Sequence, residues 1–280
     1  MSARAGTGET SNYFAGLFAL ARLSVTQLLR PPSHSRRAAA ARRLARHAWL
    51  ATAIAGAAIA ALMYWLDARE IALMPPRGTL SLWPVRILTD FGKDSYVVTC
   101  LAAALLVVGL GAAALRETAR ARLIGFGLRL QFLLLAVAAP LVVGEVIKWV
   151  AGRGRPFLGG KANPFNFAPF AGTDAYASLP SAHAITAAAL AFAVAAVWPQ
   201  ARLPMILYAL LIAGSRLVLL AHHPSDVVAG ALIGVVGAML VRYWFAARRL
   251  GFAILRDGKI VPLRTAPGDL KRVARRAPAP

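Results

Sequence analysis

Three clusters of ionisable residues stand out in this 280-residue chain, because each lies beside a long apolar run. Charged and polar groups at membrane depth are costly, so each needs a chemical reason. The first cluster runs from Lys148 through Gly152, Gly154 and Arg155 to Pro156. Lys148 and Arg155 are nearly two helical turns apart, and the intervening glycines and the proline loosen the chain. Two cations and backbone N–H groups could thus converge on one anion. Taken alone, the cluster is equally a pair of snorkelling side chains at a helix end, with Glu145 as an ion-pair partner for Lys148.

The second cluster is Leu179-Pro180-Ser181-Ala182-His183. Ser181 suits a helix N-cap, and free N–H groups at a helix start bind phosphate. His183, in that first turn, is placed to give a proton to a leaving oxygen. The bland alternative is a capped helix with an interfacial histidine. The third cluster is Ser215-Arg216, then His222-His223-Pro224-Ser225-Asp226. Arg216 lies inside an apolar run and should face something anionic. A histidine with an aspartate four residues on is a nucleophile with its orienting partner; Asp226 would hold one ring nitrogen as N–H and free the other. Helical periodicity pairs Arg216 with His223 rather than His222, and Pro224 makes that extrapolation unsafe. His, His and Asp are also metal-ligand types, but no acidic loop accompanies them and the neighbouring cations would repel a metal ion.

Composition says which elements carry these clusters. The chain is 59% apolar, against about 45–50% in ordinary soluble domains. Its net charge is +21, from 32 basic and 11 acidic residues. With no nucleic-acid-binding module visible, that charge reads as a basic face beside anionic lipid. Cys100 is alone, so no disulfide within the chain and no cysteine-based zinc site can form. Six runs approach the roughly 20 residues that cross a bilayer: 48–66, 96–115, 130–150, 184–198, 203–221 and 227–245. The fourth is short and is expected to extend back toward Leu179. The expected fold is therefore an all-α membrane protein, a helical bundle of six transmembrane helices. Residues 1–47 form a basic N-terminal segment without the form of a cleaved signal peptide, residues 48–246 the six-helix domain, and residues 247–280 a basic tail without ordered structure. Within the N-terminal segment, Tyr13–Leu29 is mildly amphipathic and ends at Pro31 and Pro32. In the 67–95 connection, Leu80–Phe91 is expected to form a short interfacial helix.

Basic residues set the orientation. Eight arginines precede the first span, Arg116, Arg120, Arg122 and Arg129 lie between the second and third, and ten Lys or Arg follow from Arg242 onward. Both termini are thus expected in the cytoplasm. All three clusters then fall on the opposite side, a placement obtained from hydropathy and loop charge alone. Three cations, two differently placed histidines, a carboxylate and a helix N-terminus are what hydrolysis through a phosphoryl-enzyme requires.

In this order and spacing the clusters resemble the type 2 phosphatidic acid phosphatase superfamily, which also includes the vanadium haloperoxidases. Its motifs, Lys-x6-Arg-Pro, Pro-Ser-Gly-His and Ser-Arg-x5-His-x3-Asp, read here as Lys148 to Arg155-Pro156, Pro180-Ser181-Ala182-His183, and Ser215-Arg216 to His222 to Asp226. The resemblance implies that His222 forms a phosphohistidine, Asp226 orients it and His183 protonates the leaving group. Lys148, Arg155, Ser181, Arg216 and the Ala182 N–H would bind phosphate, with no metal and no cofactor. Its motif spacing selects His222 over His223. Ala182 departs from the motif's glycine, which is harmless in a helical first turn and damaging if the position needs positive φ.

The expected activity is lipid phosphate or diphosphate hydrolysis at the non-cytoplasmic face, probed by an isoprenyl diphosphate, phosphatidic acid, phosphatidylglycerol phosphate or lipid A-type substrate. Arginine-rich composition points to a bacterial inner membrane with the site facing the periplasm or exterior. The partners are a membrane lipid phosphate and the bilayer, with no nucleic acid and no obligatory protein. The rival activities are phosphoryl transfer to a second lipid and non-catalytic lipid binding or transport. Head-group selection is expected from the loops that hold Asp90 and Lys93 and Asn163, Asn166 and Asp174, the last three being equally readable as residues that solubilise a loop.

Overall fold

The computed structural model describes residues 6–76, 78–156, 158 and 163–263. Residues 264–280 of the expected basic tail lie outside these. Helices dominate: α1 (Gly6–Leu29), α2 (Arg37–Trp65), α3 (Asp67–Leu73), α4 (Trp83–Asp90), α5 (Asp94–Ala114), α6 (Glu117–Ala151), α7 (Ala182–Val197), α8 (Arg202–Val218) and α9 (Pro224–Ala247). A two-stranded antiparallel hairpin follows, β1 (Phe252–Ile254) and β2 (Ile260–Pro262). The 252–262 stretch, expected without structure, is therefore ordered. Phe252 and Ile254 alternate inward and are buried, and Gly258 takes the positive φ of 79° that the turn between the strands needs.

The protein is an integral membrane protein. Five segments are long and apolar enough to cross a bilayer: Arg37–Trp65, Leu80–Ala114, Thr118–Ala151, Pro199–Val218 and Pro224–Ala247. The sequence suggested six. The shortfall is α7, which has 16 residues and so spans only about 24 Å at 1.5 Å per residue. It begins at Ala182 because Ser181 caps it and Pro180 precedes it, and it stops at Trp198 before Pro199. Two other helices are longer than hydropathy indicated. The arginine-bearing stretches 37–47 and 117–129 are good helix formers, so α2 and α6 continue through them as single helices of 29 and 35 residues.

Residues pack into two compact units. Among the described residues, one comprises 6–41, 100–132 and 243–263. Its aromatic centre is Phe132, whose ring meets Phe245 and Phe252 edge-on at 5.4 and 4.8 Å between centroids. The other comprises 42–99 and 133–242 and contains all the clusters singled out above. There α7 is the central helix, with Ala184, Ile185, Ala187, Ala189 and Ala193 buried. Small residues let its neighbours approach, as in membrane bundles generally. A Cβ at Gly230 of α9 would stand 2.5 Å from the Ser181 carbonyl oxygen, and one at Gly234 would stand 2.4 Å from that of Ile185. The α7–α9 contact therefore depends on glycine at both positions.

Candidate active site

Four helix ends supply the site: the C-terminal ends of α6 and α8 and the N-terminal ends of α7 and α9. After α6, Gly152 turns the chain at a φ of 55°, and a Cβ there would strike the Ala168 carbonyl oxygen at 1.8 Å. The segment 152–155 is then laced to the loop that follows. Ala168 N–H donates to the Gly152 carbonyl (2.7 Å), Gly154 N–H to Asn166 (2.8 Å), Arg155 N–H to Ala175 (2.9 Å) and Ser178 N–H to Arg153 (3.0 Å). This lacing delivers Arg155 and Ser178 to the same place. It also engages two residues expected to select head groups, since the Asn166 carbonyl and the Asp174 carbonyl, the latter accepting from Arg155 Nε at 2.8 Å, hold the loop together.

His222 lies in the turn between α8 and α9 and is only 3% exposed. Its Nδ1 is 2.8 Å from the Ser178 carbonyl oxygen. A carbonyl only accepts, so Nδ1 carries the proton and Nε2 keeps its lone pair. Burial, aided by the charges of Arg216 and Arg155, holds the ring well below the ordinary histidine pKa and therefore neutral. A neutral ring with a free Nε2 is a nucleophile.

The orienting acceptor is thus a backbone carbonyl, where the sequence suggested the Asp226 carboxylate. Asp226 acts one step removed. Its Oδ2 accepts from the Ser178 hydroxyl (2.6 Å) and from the His223 N–H (3.0 Å), while Oδ1 accepts from Arg153 Nη1 (2.6 Å). It therefore fixes the residue whose carbonyl holds His222, and the backbone beside it. Asp226 also joins α9 to α7, because the Ser181 N–H donates to its carbonyl at 3.1 Å.

One backbone turn gives His222 and His223 different surroundings. Helix α8 ends at Val218, and Leu220 has a φ of 48°, so helical extrapolation from Arg216 fails there. His223 then points into the interior. It is 1% exposed, and neither of its ring nitrogens has a hydrogen-bond partner.

The cations cluster round the second histidine. Charges of Arg216, Lys93, Arg155 and Lys148 all act on the His183 ring, and His183 in turn acts on His222. Arg155 is braced by donating from Nη1 to the Ala221 carbonyl (2.9 Å), Arg216 by donating from Nη1 to the Thr89 hydroxyl (2.8 Å). Lys148 pairs with Glu145, as its spacing suggested. Ser181 is the N-cap of α7, its hydroxyl accepting from the Ala184 N–H at 3.5 Å. Ala182 is the first residue of that helix and is absent from the positive-φ positions, so alanine suits it. Its N–H and that of His183 open the helix and have no acceptor within it. The arrangement can bind an oxyanion among cations and helix N–H groups, with a nucleophilic nitrogen and a second imidazole beside it. Next to Arg216 and Ala221 is a cavity of about 300 Å³, also lined by Gly78, Leu82, Arg86 and Leu219.

Sequence reasoning missed the buried support beneath the site. Arg153 is fully buried, and its guanidinium bridges two carboxylates: Asp226 at 2.6 Å and Asp67 at 2.8 Å. It also donates to Ser225 Oγ (2.6 Å) and to the Pro164 carbonyl from Nε (3.0 Å) and Nη2 (2.7 Å). Asp67 accepts from the Ser225 N–H at 3.1 Å and from its hydroxyl. Glu70, one turn on in α3, is also buried, and burial with the nearby Asp67 and Asp226 charges pushes its carboxyl up to about 8. The available signal was the position of Asp67 and Glu70 directly after an apolar run.

The chain resembles known proteins. The PAP2 superfamily profile matches residues 129–250, the stretch that holds all three clusters. A lipid A 1-phosphatase of Rhizobium etli is 30% identical over 203 residues, covering 72% of this chain and 86% of the relative. The chain belongs to the PAP2 superfamily. A lipid A 1-phosphatase of Rhizobium johnstonii is likewise 30% identical over 174 residues, 61% of this chain and 71% of that relative. No solved structure matches. As a PAP2 protein with long apolar helices, the chain is a membrane lipid phosphate hydrolase in general type.

Proposed function

We propose that the protein removes a phosphate monoester from a lipid A-type glycolipid through a phosphohistidine on His222, without a metal. The observation that carries the mechanism is the Nδ1–H contact of His222 with the Ser178 carbonyl, which leaves Nε2 to attack. The substrate class rests on the two relatives, both lipid A 1-phosphatases.

The steps follow from the residues. The phosphate sits among Arg155, Arg216, Lys148 and the α7 N-terminus, which balance its charge. The Nε2 lone pair of His222 forms the P–N bond as the P–O bond to the lipid breaks, and His183 gives its proton to the departing oxygen. Burial, aided by the charges of Arg216, Lys93, Arg155 and Lys148, disfavours the imidazolium of His183, which becomes favourable once the anionic phosphate is bound. Water then attacks phosphorus, His183 takes the water's proton, the P–N bond breaks and inorganic phosphate leaves. Asp226 and Ser178 position His222 throughout. The loop-charge pattern supports a site facing away from the cytoplasm, in a bacterial inner membrane, with both termini inside.

The test is phosphate release by detergent-purified protein from a lipid A monophosphate, with phosphatidic acid and an isoprenyl diphosphate in parallel, all with chelator present. Release from the glycolipid, loss in His222→Ala and inhibition by vanadate are expected. Release that needs a divalent ion, or that survives His222→Ala, overturns the mechanism. Preference for another lipid overturns the substrate assignment alone. A second lipid added as acceptor distinguishes transfer from hydrolysis.

A further inference from the structure

A second cavity lies at the opposite ends of the same helices. It has a volume of about 450 Å³ and is lined by residues of α7, α8 and α9. Its α7 wall runs to Ala196, its α8 wall starts at Arg202 and its α9 wall ends at Arg242. Each of these is 14 to 16 residues along its helix from Ala182, Arg216 or Asp226 respectively. At 1.5 Å per residue the arginine end of the cavity is about 20 Å from the candidate active site and its nearest wall, at Ala188, Ala209 and Val235, roughly 10 Å; none of the candidate catalytic residues lines it.

The lining has two chemistries. Most of it is small or aliphatic, with Ala191, Ala195, Ile206 and Leu210 among the walls. Ile206 and Leu210 are 47% and 62% exposed on a helix that crosses the bilayer, so the cavity is open toward acyl chains. The two polar residues are Arg202 and Arg242, and no Asp or Glu lines it. The Arg242 guanidinium is held 4.8 Å from the Phe192 ring centroid, and its Nε is buried without a hydrogen-bond partner. Arg43 adds its positive charge to the field at Arg242. A buried guanidinium donor without an acceptor is costly.

We propose that this cavity is a non-catalytic site for one anionic phospholipid. The lipid phosphate pairs with Arg202 and Arg242, and an acyl chain lies along Ile206 and Leu210. The charge excludes a zwitterionic lipid as an equal occupant, because its own cation would meet two arginines. The apolar walls favour lipid over a free phosphate ion, which would leave them wet.

The proposal is independent of the substrate assigned above and is tested by binding. Delipidated full-length protein is titrated with phosphatidylglycerol or with phosphatidylcholine of the same acyl chains, and retained lipid is counted by native mass spectrometry. One phosphatidylglycerol per chain should be lost in the double variant Arg202→Gln/Arg242→Gln, with about 100-fold weaker binding, about tenfold for each of two charge-assisted hydrogen bonds. Ala195→Phe keeps both arginines but fills the cavity, and should lose the same lipid, so misfolding of the double variant does not block the test. Thermal unfolding verifies that each variant is folded. Equal retention of phosphatidylglycerol by wild type and folded variants overturns the site. So does equal retention of phosphatidylcholine, displacement of the lipid by inorganic phosphate, or a dimer that forms through this face in place of lipid.

Discussion

Arg153 donates from Nη1 to Oδ1 of Asp226 across 2.6 Å, with both side chains completely withdrawn from solvent. The other arm of the same guanidinium reaches Asp67, 86 residues earlier in the chain. One cation therefore neutralises two buried carboxylates and ties α3 to the start of α9. Removing it leaves both carboxylates uncompensated. Arg153→Met should destabilise the protein by about 3–5 kcal/mol, the usual cost of breaking a buried pair. Arg153→Lys keeps the charge, loses the fork and should fall between. Thermal unfolding in detergent measures both, and a methionine variant that melts with the wild type would refute the assignment.

Ser178 offers a way to separate positioning from chemistry. Ser178→Ala keeps the carbonyl that accepts from His222 and deletes the hydroxyl that donates to Asp226. Losing one hydrogen bond to a charged group should lower kcat by about tenfold, with KM little changed. Asp226→Ala additionally removes one of the two carboxylates that Arg153 bridges and should cost more in both rate and stability. Steady-state kinetics on the two variants decide it, and a Ser178→Ala variant with the wild-type kcat would mean that the hydroxyl contact is not the route by which Asp226 acts.

The adjacent histidines should behave differently. His222→Ala should form no phosphoenzyme, because the attacking nitrogen is gone. His223→Phe places an aromatic ring in an interior site whose imidazole makes no hydrogen bond, and should still form it. Acid-quenched labelling with phosphorus-labelled substrate reads this directly. Labelling that disappears with His223 and persists without His222 would reverse their roles.

Glu70 gives a pH signature. Its carboxyl is raised from 4.5 to about 8, so between those values the folded chain keeps a proton that the unfolded chain releases. Stability from this group is therefore full below the lower value, falls as pH rises through the window, and is flat above it. Glu70→Gln, permanently neutral, should flatten that part of the curve. Unfolding measured across the window checks it; an unchanged slope in the variant rules the ionisation out.

Much of the site was legible because its chemistry is local. Lys148–Arg155, Ser181–His183 and Arg216–Asp226 are short-range patterns whose residue types already state their use. The apolar runs also placed the helices, apart from the true ends of α2 and α6, which polar residues extend. What escaped depends on tertiary structure. Nothing near Arg153 in sequence reveals its bond to Asp67, and its place between Lys148 and Arg155 made it look like filler. The positive φ at Leu220 that separates His222 from His223 leaves no mark in residue type. The shortness of α7 was visible, but its buried place at the centre of its unit was not.

The close approach of α9 to α7 makes inheritance of this site depend on more than its catalytic side chains. Asp226, Gly230 and Gly234 are successive positions on one helical face. The first secures the turn that carries His222, and the other two admit the backbone of the helix that carries His183. A descendant that kept both histidines but gained a side chain at either glycine would push the two imidazoles apart and lose their partnership. Asp-x3-Gly-x3-Gly after a histidine is therefore a spacing by which intact copies of this arrangement can be told from decayed ones in sequence alone.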